Sequence, residues 1–317
     1  DLFISILGGE NRLFKNEFGI FKDISHKAGV QDPFFSFPAW IWDVNNDGYN
    51  DIFVASYDLR NLSNLSSDFV NEIEGKSVET EKSKLFINNG DETFTESSVD
   101  FKIDISMYAM GSNFGDIDND GWLDFYIGTG SPDFSSTIPN RMFRNLDGNK
   151  FEEVTLAGRF GHIQKGHGVG FADLDNDGDQ DIYAVMGGAY EGDTYPNVCF
   201  ENPIKDNNWI VLKLIGESSN RSAIGSFLKI ELDNGRNIYR TINTGGSFGS
   251  STLQSEIGLG SCKKIKRITI NWPSGKTQII TDLDSNKKYE IFENKIEINQ
   301  VPFKKLLFTK NLDHSHH

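Results

Sequence analysis

Three stretches of the chain concentrate carboxylates at one fixed spacing. They are Asp43-Val-Asn-Asn-Asp-Gly-Tyr-Asn-Asp51, Asp116-Ile-Asp-Asn-Asp-Gly-Trp-Leu-Asp124 and Asp173-Leu-Asp-Asn-Asp-Gly-Asp-Gln-Asp181. At 4 Å each pair of like charges costs on the order of 4 kcal/mol at an effective dielectric of 20. Hard oxygen donors in such number suit a divalent cation, and calcium in particular. Side chains at positions 1, 3, 5 and 9 and the carbonyl of position 7 form the expected ligand set, with Gly at position 6 for the sharp turn. Loop one then offers Asp43, Asn45, Asp47, the Tyr49 carbonyl and Asp51. Loop two offers Asp116, Asp118, Asp120, the Trp122 carbonyl and Asp124, and loop three Asp173, Asp175, Asp177, the Asp179 carbonyl and Asp181. Asn45 removes one charge, so loop one is expected to bind most weakly. An EF-hand needs a bidentate Glu at position 12 and flanking helices. Position 12 is Val54, Ile127 or Ala184 here, which excludes it. Chain ligands close each site, so the ion is expected to be structural rather than catalytic.

The first aspartates of the loops lie 73 and 57 residues apart, and a second motif recurs in phase with them: Leu13-Phe-Lys-Asn16, Leu85-Phe-Ile-Asn88, Met142-Phe-Arg-Asn145 and a decayed Cys199-Phe-Glu-Asn202. Each acidic loop is followed by a short apolar run (Ile52-Phe-Val-Ala55, Phe125-Tyr-Ile127, Ile182-Tyr-Ala-Val185) that reads as a strand. Residues 39–42, 111–114 and 168–171 before the loops read likewise, and Asn88 to Phe94 as a hairpin. About four strands in some 57 residues is the content of a propeller blade. The fold class expected is therefore all-β, a partial β-propeller. Residues 58–84 lengthen the first unit and are polar, which predicts a surface loop. Asp1-Leu-Phe-Ile-Ser5 matches Asp51-Ile-Phe-Val-Ala55, so Asp1 is expected to be the last aspartate of a fourth loop and the chain to start in mid-blade.

Loops and strands together resemble the FG-GAP repeats (integrin-alpha-like, VCBS-type) over residues 1–202, and Lys84-Leu-Phe-Ile-Asn-Asn-Gly-Asp-Glu-Thr-Phe94 resembles bacterial relatives of cartilage acidic protein. The resemblance implies calcium at the residues named above. Residues 203–295 read as paired strands, with Asp233-Asn-Gly235 and Pro273-Ser-Gly275 as turns, predicting a small antiparallel β-sandwich. Asn208-Trp209, Ser219-Asn-Arg221, Ile224-Gly225, Gly245 to Ser251, Gly258-Leu-Gly260 and Asn271-Trp-Pro-Ser-Gly275 are similar in order to the ASPIC/UnbV domain. Ser261-Cys262 departs from that domain's usual acidic residue. Residues 296–317 are expected to be a tail.

Lys plus Arg number 31 against 46 Asp plus Glu, a net charge of −15. That balance argues against a nucleic-acid or anionic-membrane partner, and no apolar run is long enough to insert in a membrane. Cys199 and Cys262 permit one disulfide. Gly245-Gly-Ser247-Phe-Gly249 matches the hydrolase elbow but lacks the helix that must follow it. His162 and His167 flank a Gly-rich stretch before loop three, where solvated loop histidines outweigh a catalytic pair. Trp40, Trp42 and Trp122 read as blade packing rather than sugar platforms. Lys263 to Arg267 reads as a solvated edge, Asn61-Leu-Ser63 and Asn64-Leu-Ser66 as glycosylation sequons, and Asp313 to His317 as an inert end. The function expected is a non-catalytic, calcium-stabilised scaffold binding a glycan or protein, with an enzyme whose site lies in the propeller channel as the alternative. Modules of this kind bind calcium at about 10⁻⁴–10⁻³ M, which places the protein outside the cell, in the periplasm or on the cell surface. Oligomeric state is left open.

Overall fold

The computed structural model describes residues 1–308, so the His-rich end at 313–317 lies outside the described residues. Four antiparallel sheets follow one another along the first two thirds of the chain. The first contains β1 (Leu2–Ile4), β2 (Arg12–Glu17) and β3 (Ile20–Asp23). A short helix, α1 (Ser25–Ala28), leads to the second sheet: β4 (Ser36–Trp42), β5 (Asp51–Ser56), β6 (Lys84–Asn88) and β7 (Phe94–Glu96). The third holds β8 (Ala109–Gly115), β9 (Asp124–Thr129), β10 (Arg141–Leu146) and β11 (Lys150–Glu153), and the fourth β12 (Gly166–Ala172), β13 (Asp181–Met186) and β14 (Val198–Phe200). Each acidic loop joins the first two strands of a sheet.

Burial on both faces explains why the second strand of the second and third sheets reads as an unbroken apolar run. Ile52 and Val54 of β5 pack with Leu13, Val30 and Phe86 towards the first sheet, while Phe53 and Ala55 pack with Trp40, Trp42, Phe114 and Phe125 towards the third. In β9, Phe125 and Ile127 face that second core and Tyr126 the next, beside Met142, Phe171 and Ile182. The second and third sheets thus each serve two neighbours, the arrangement of propeller-like blades, whereas Tyr183 and Val185 of β13 in the fourth sheet are exposed. The innermost strands approach through glycine: a Cβ at Gly111 would sit 1.8 Å from the His167 carbonyl oxygen. Trp40 and Trp42 are core residues, as expected, whereas Trp122 is half-buried.

The 58–84 insertion is not a plain loop. It forms a 3₁₀ turn (Leu59–Asn64) and a helix, α2 (Leu65–Ile73), in which Leu62, Leu65 and Phe69 share one face against Tyr108 and Ile138. The polar composition concealed that helical spacing. Buried Asp68 accepts hydrogen bonds from the Thr80 hydroxyl and, at 2.8 Å, from Tyr108 Oη.

The C-terminal sandwich comprises β15 (Asn208–Ile215), β16 (Phe227–Leu232), β17 (Asn237–Thr241), β18 (Ser255–Gly260), β19 (Lys264–Asn271), β20 (Thr277–Asp284), β21 (Lys287–Phe292) and β22 (Ile298–Val301). Its sheets have the orders β18-β15-β21-β22 and β17-β16-β19-β20 around a core that includes Ile210, Leu228, Ile268 and Trp272. Three findings correct the sequence reading. The β15–β21 pair is parallel within an otherwise antiparallel sandwich. The segment after 295 is not simply a tail, because β22 pairs with β21 and Leu306 N–H donates to the Asp175 carbonyl at 2.5 Å. The lysine-rich run is not an edge either: β19 lies between β16 and β20, with Lys264, Lys266 and Arg267 on its exposed face.

Gly245 to Ser251 is the loop that docks the sandwich onto the blades. Ser112 N–H donates to the Ser247 carbonyl (3.0 Å), Val169 N–H to the Phe248 carbonyl (3.0 Å), and Gly246 N–H to Asn113 Oδ1 (2.7 Å). Ser247 Oγ donates to the Ala39 carbonyl at 2.7 Å and accepts from Ala39 N–H at 3.2 Å. The loop therefore lies across β4, β8 and β12, and the serine of the elbow-like motif is bound to backbone.

Candidate metal centres

The three acidic loops share one hydrogen-bond plan. The position-1 carboxylate accepts from the N–H groups of positions 5 and 6: Asp43 from Asp47 and Gly48, Asp116 from Asp120 and Gly121, Asp173 from Asp177 and Gly178, all at 2.9–3.1 Å. The position-9 carboxylate accepts from the N–H of position 2 with one oxygen: Asp51 from Val44, Asp124 from Ile117, Asp181 from Leu174. Its other oxygen accepts from the N–H of Asn88, Asn145 or Asn202, the asparagine that ends the second repeated motif. Asp1 accepts from Asn16 N–H in the same way at 2.8 Å. The turn itself requires left-handed backbone at positions 4 and 6. Asn46, Asn119 and Asn176 have φ of 51–55°, and Gly48, Gly121 and Gly178 have φ of 91–101°, regions open to Asn and Gly.

The second motif is thereby explained as a staple. Asn145 Nδ2 donates to the Leu123 carbonyl of its own loop (3.2 Å) and to the Val44 carbonyl of the preceding one (2.9 Å). Asn202 Nδ2 repeats this with Gln180 (3.0 Å) and Ile117 (2.6 Å). Position 4 adds a second link, from Asn46 to the Gly121 carbonyl and from Asn119 to the Gly178 carbonyl, each 2.9 Å. The loops form one connected row.

Positions 3 and 5 are left for an ion. One oxygen from each of Asp116, Asp118 and Asp120 lies within 4.8 Å of the others, as does one from each of Asp173, Asp175 and Asp177. Asp118 Oδ1, Asp175 Oδ1 and Asp179 Oδ1 are buried without a hydrogen-bond partner, a costly state for carboxylate oxygens. Loop one differs as its sequence predicts. Asn45 replaces a carboxylate and donates to Asp47 Oδ2 at 2.9 Å. At position 7, Tyr49, Trp122 and Asp179 donate their N–H groups to the position-5 carboxylate. The donor sets of loops two and three fit a hard divalent cation: Asp116, Asp118 and Asp120, and Asp173, Asp175 and Asp177, are the side chains that would hold it, whereas loop one and the position-9 aspartates are not brought into such a cluster.

The charge balance agrees with the geometry. Burial, aided by neighbouring carboxylates, pushes Asp43, Asp120 and Asp173 up to about 6 and Asp51 and Asp116 up to about 7, with Asp124 well above its ordinary value. Burial and then the Asp177 charge push Asp179 up to about 8. Asp177 goes the other way: burial raises it, but Lys205 and Lys305 outweigh burial and hold it at about 2. Cationic side chains gather at the clusters. Arg144 lies 2.7 Å from Asp118, Lys205 2.8 Å from Asp177, and Lys305 3.1 Å from Asp175.

All three loops also touch the sandwich, through Gly258 and through two residues, Arg240 and Glu256, that no sequence motif marks. Arg240 is buried between loops one and two, donating to Asn46 Oδ1 (3.1 Å) and to the Gly121 carbonyl (3.0 Å), 4.0 Å from Asp116. Gly258 N–H donates to Asp116 Oδ2 at 3.0 Å. Half-buried Glu256 accepts from Asp173 N–H (3.1 Å) and Gln180 Nε2 (2.9 Å), and desolvation pushes it up to about 7. A lone Arg or Glu in a strand carries no pattern that reveals such a role.

The remaining expected positions are placed as follows. His167 Nε2 is 2.6 Å from the Gly187 carbonyl oxygen, and His162 Nδ1 accepts from Gln164 N–H at 3.2 Å. Cys199 is exposed and Cys262 buried in the sandwich core, both as free thiols. Asn61 and Asn64 lie on the 3₁₀ turn.

Family comparison agrees with both parts of this description. Residues 43–127 match the FG-GAP-like repeat, and residues 216–298 match the domain described as ASPIC and UnbV. The chain therefore carries FG-GAP-like blades followed by an ASPIC/UnbV domain. A comparison with curated proteins finds no match. Among solved structures, a Bacteroides ovatus ATCC 8483 protein provisionally assigned to cell adhesion aligns at 12% identity over 54% of this chain and 80% of that one. Its TM-score of 0.21 is too low to bear on function. No helix among the described residues is long and apolar enough to cross a membrane.

Proposed function

We propose that this protein is a calcium-stabilised, non-catalytic scaffold working outside the cell, in the periplasm or on the cell surface, where it recognises a glycan or protein partner. The observation that carries the reading is the set of buried, unpartnered oxygens on Asp118 and Asp175 inside loops of identical geometry. Position-1 and position-9 carboxylates are oriented by backbone N–H groups before any ion arrives, so binding needs little reorganisation. The ion neutralises the cluster, and each loop then holds two blades and the sandwich in place. Modules outside the cell meet enough calcium to fill sites of about 10⁻⁴–10⁻³ M affinity. At tenfold above Kd one site adds about 1.4 kcal/mol, and three add on the order of 4 kcal/mol. For a chain of this size that corresponds to a rise in Tm on the order of 10 °C. Melting with excess calcium and then with EDTA tests the reading; an unchanged Tm contradicts it.

A further inference from the structure

The connections at the strand ends remote from the acidic loops build a second feature. Residues 57–83 join β5 to β6, residues 130–140 join β9 to β10, and residues 187–197 join β13 to β14. Between them lies a cleft of about 580 Å³, lined by Leu65, Ser66, Ser131, Asp133, Ser136 and Tyr190 among others. That volume falls in the range of small-ligand sites. Ser131 and Ser136 are buried and hydrogen-bonded to each other, whereas Ser63 and Ser66 on the opposite wall are exposed. Tyr190, in the lining, stacks on the neighbouring Phe134 with ring centroids 5.8 Å apart and planes 30° apart, and both are more than half exposed (53% and 57%). Two adjacent solvent-facing aromatic rings are a marked surface feature. The charge of Lys165 is already matched by Asp193, and its Nζ lies 5.5 Å from the Phe134 ring centroid.

We infer that this cleft binds a neutral saccharide unit, with a pyranose face on Tyr190, which Phe134 backs, and its hydroxyls on the serines. Serine hydroxyls both donate and accept, as sugar hydroxyls do. Asp133 in the lining and the net charge of −15 disfavour an anionic ligand. The inference deepens the reading of the chain as a recognition scaffold. Its test reads ligand contact, while the metal reading is checked separately by melting.

The experiment uses the calcium-saturated chain and saturation-transfer NMR with methyl glycosides of neutral hexoses and N-acetylhexosamines, and with the matching uronic acids. The expected result is transfer to the ring protons of at least one neutral glycoside, with the uronic acid at least tenfold weaker. Tyr190→Ala and Phe134→Ala, both at exposed positions, should each weaken binding tenfold or more without moving Tm. No transfer from any neutral glycoside, equal or tighter uronic-acid binding, or binding unaffected by both substitutions overturns the inference.

Discussion

Replacing Asn145 with Ala tests the staple that links neighbouring loops. Asn145 is fully buried. Its side chain serves three backbone groups: the Val44 carbonyl at 2.9 Å, the Leu123 carbonyl at 3.2 Å and the Gly148 N–H at 2.9 Å. Truncation strands all three among buried neighbours. Each stranded group costs about 1–3 kcal/mol, and partial relaxation brings the sum to about 3–5 kcal/mol. Asn88 is the internal control, because it holds the same place in the preceding repeat. It is half-buried, and its side chain serves only the Asn50 carbonyl and Gly90 N–H, both at 2.9 Å. Water can replace those bonds, so Asn88→Ala should cost about 1 kcal/mol. Urea unfolding at saturating calcium, followed by tryptophan fluorescence, measures both. Equal losses, or a loss below about 1 kcal/mol for Asn145→Ala, refute the staple as the bond between blades.

Further outcomes follow from the electrostatics and the domain contact. Metal-free stability should fall between pH 5 and pH 8. Asp43 and Asp173 at about 6 and Asp51 and Asp116 at about 7 lie above their unfolded values, so protonation favours the folded state at low pH and that contribution is lost as pH rises through 6–7. Calcium requires the ionised form, so its effect on Tm should be larger at pH 8 than at pH 5; differential scanning fluorimetry with and without EDTA reads the sign. Arg240→Met removes one of the two donors to Asn46 Oδ1 and one of the two to the Gly121 carbonyl, and takes the buried guanidinium away from Asp116. Limited proteolysis should then cut residues 203–207 faster than in the parent, and an unchanged rate would show that Arg240 does not hold the sandwich.

The repeats made the blades and the acidic loops readable, since both depend on local spacing: carboxylates at 1, 3, 5 and 9, and apolar alternation in β5, β9 and β13. The asparagine of the second motif was visible as a recurrence, but its role was not, because its partners Val44 and Ile117 lie in the preceding repeat. Helix α2 was hidden for a different reason: only Leu65 and Phe69 of the helix, with Leu62 of the 3₁₀ turn before it, carry the packed face within a polar insertion. The parallel β15–β21 pair and the strand at 298–301 depend on contacts far apart in sequence, as do Arg240 and Glu256. Turn signals fixed hairpins; they say nothing about which remote strands meet.

Calorimetric titration of the EDTA-stripped, folded chain with calcium tests the central claim most directly. The account predicts saturable heat from the three loops, with loop one the weakest because Asn45 stands where loops two and three have aspartate. A folded chain that takes up no calcium, with no heat at millimolar ion, would contradict it.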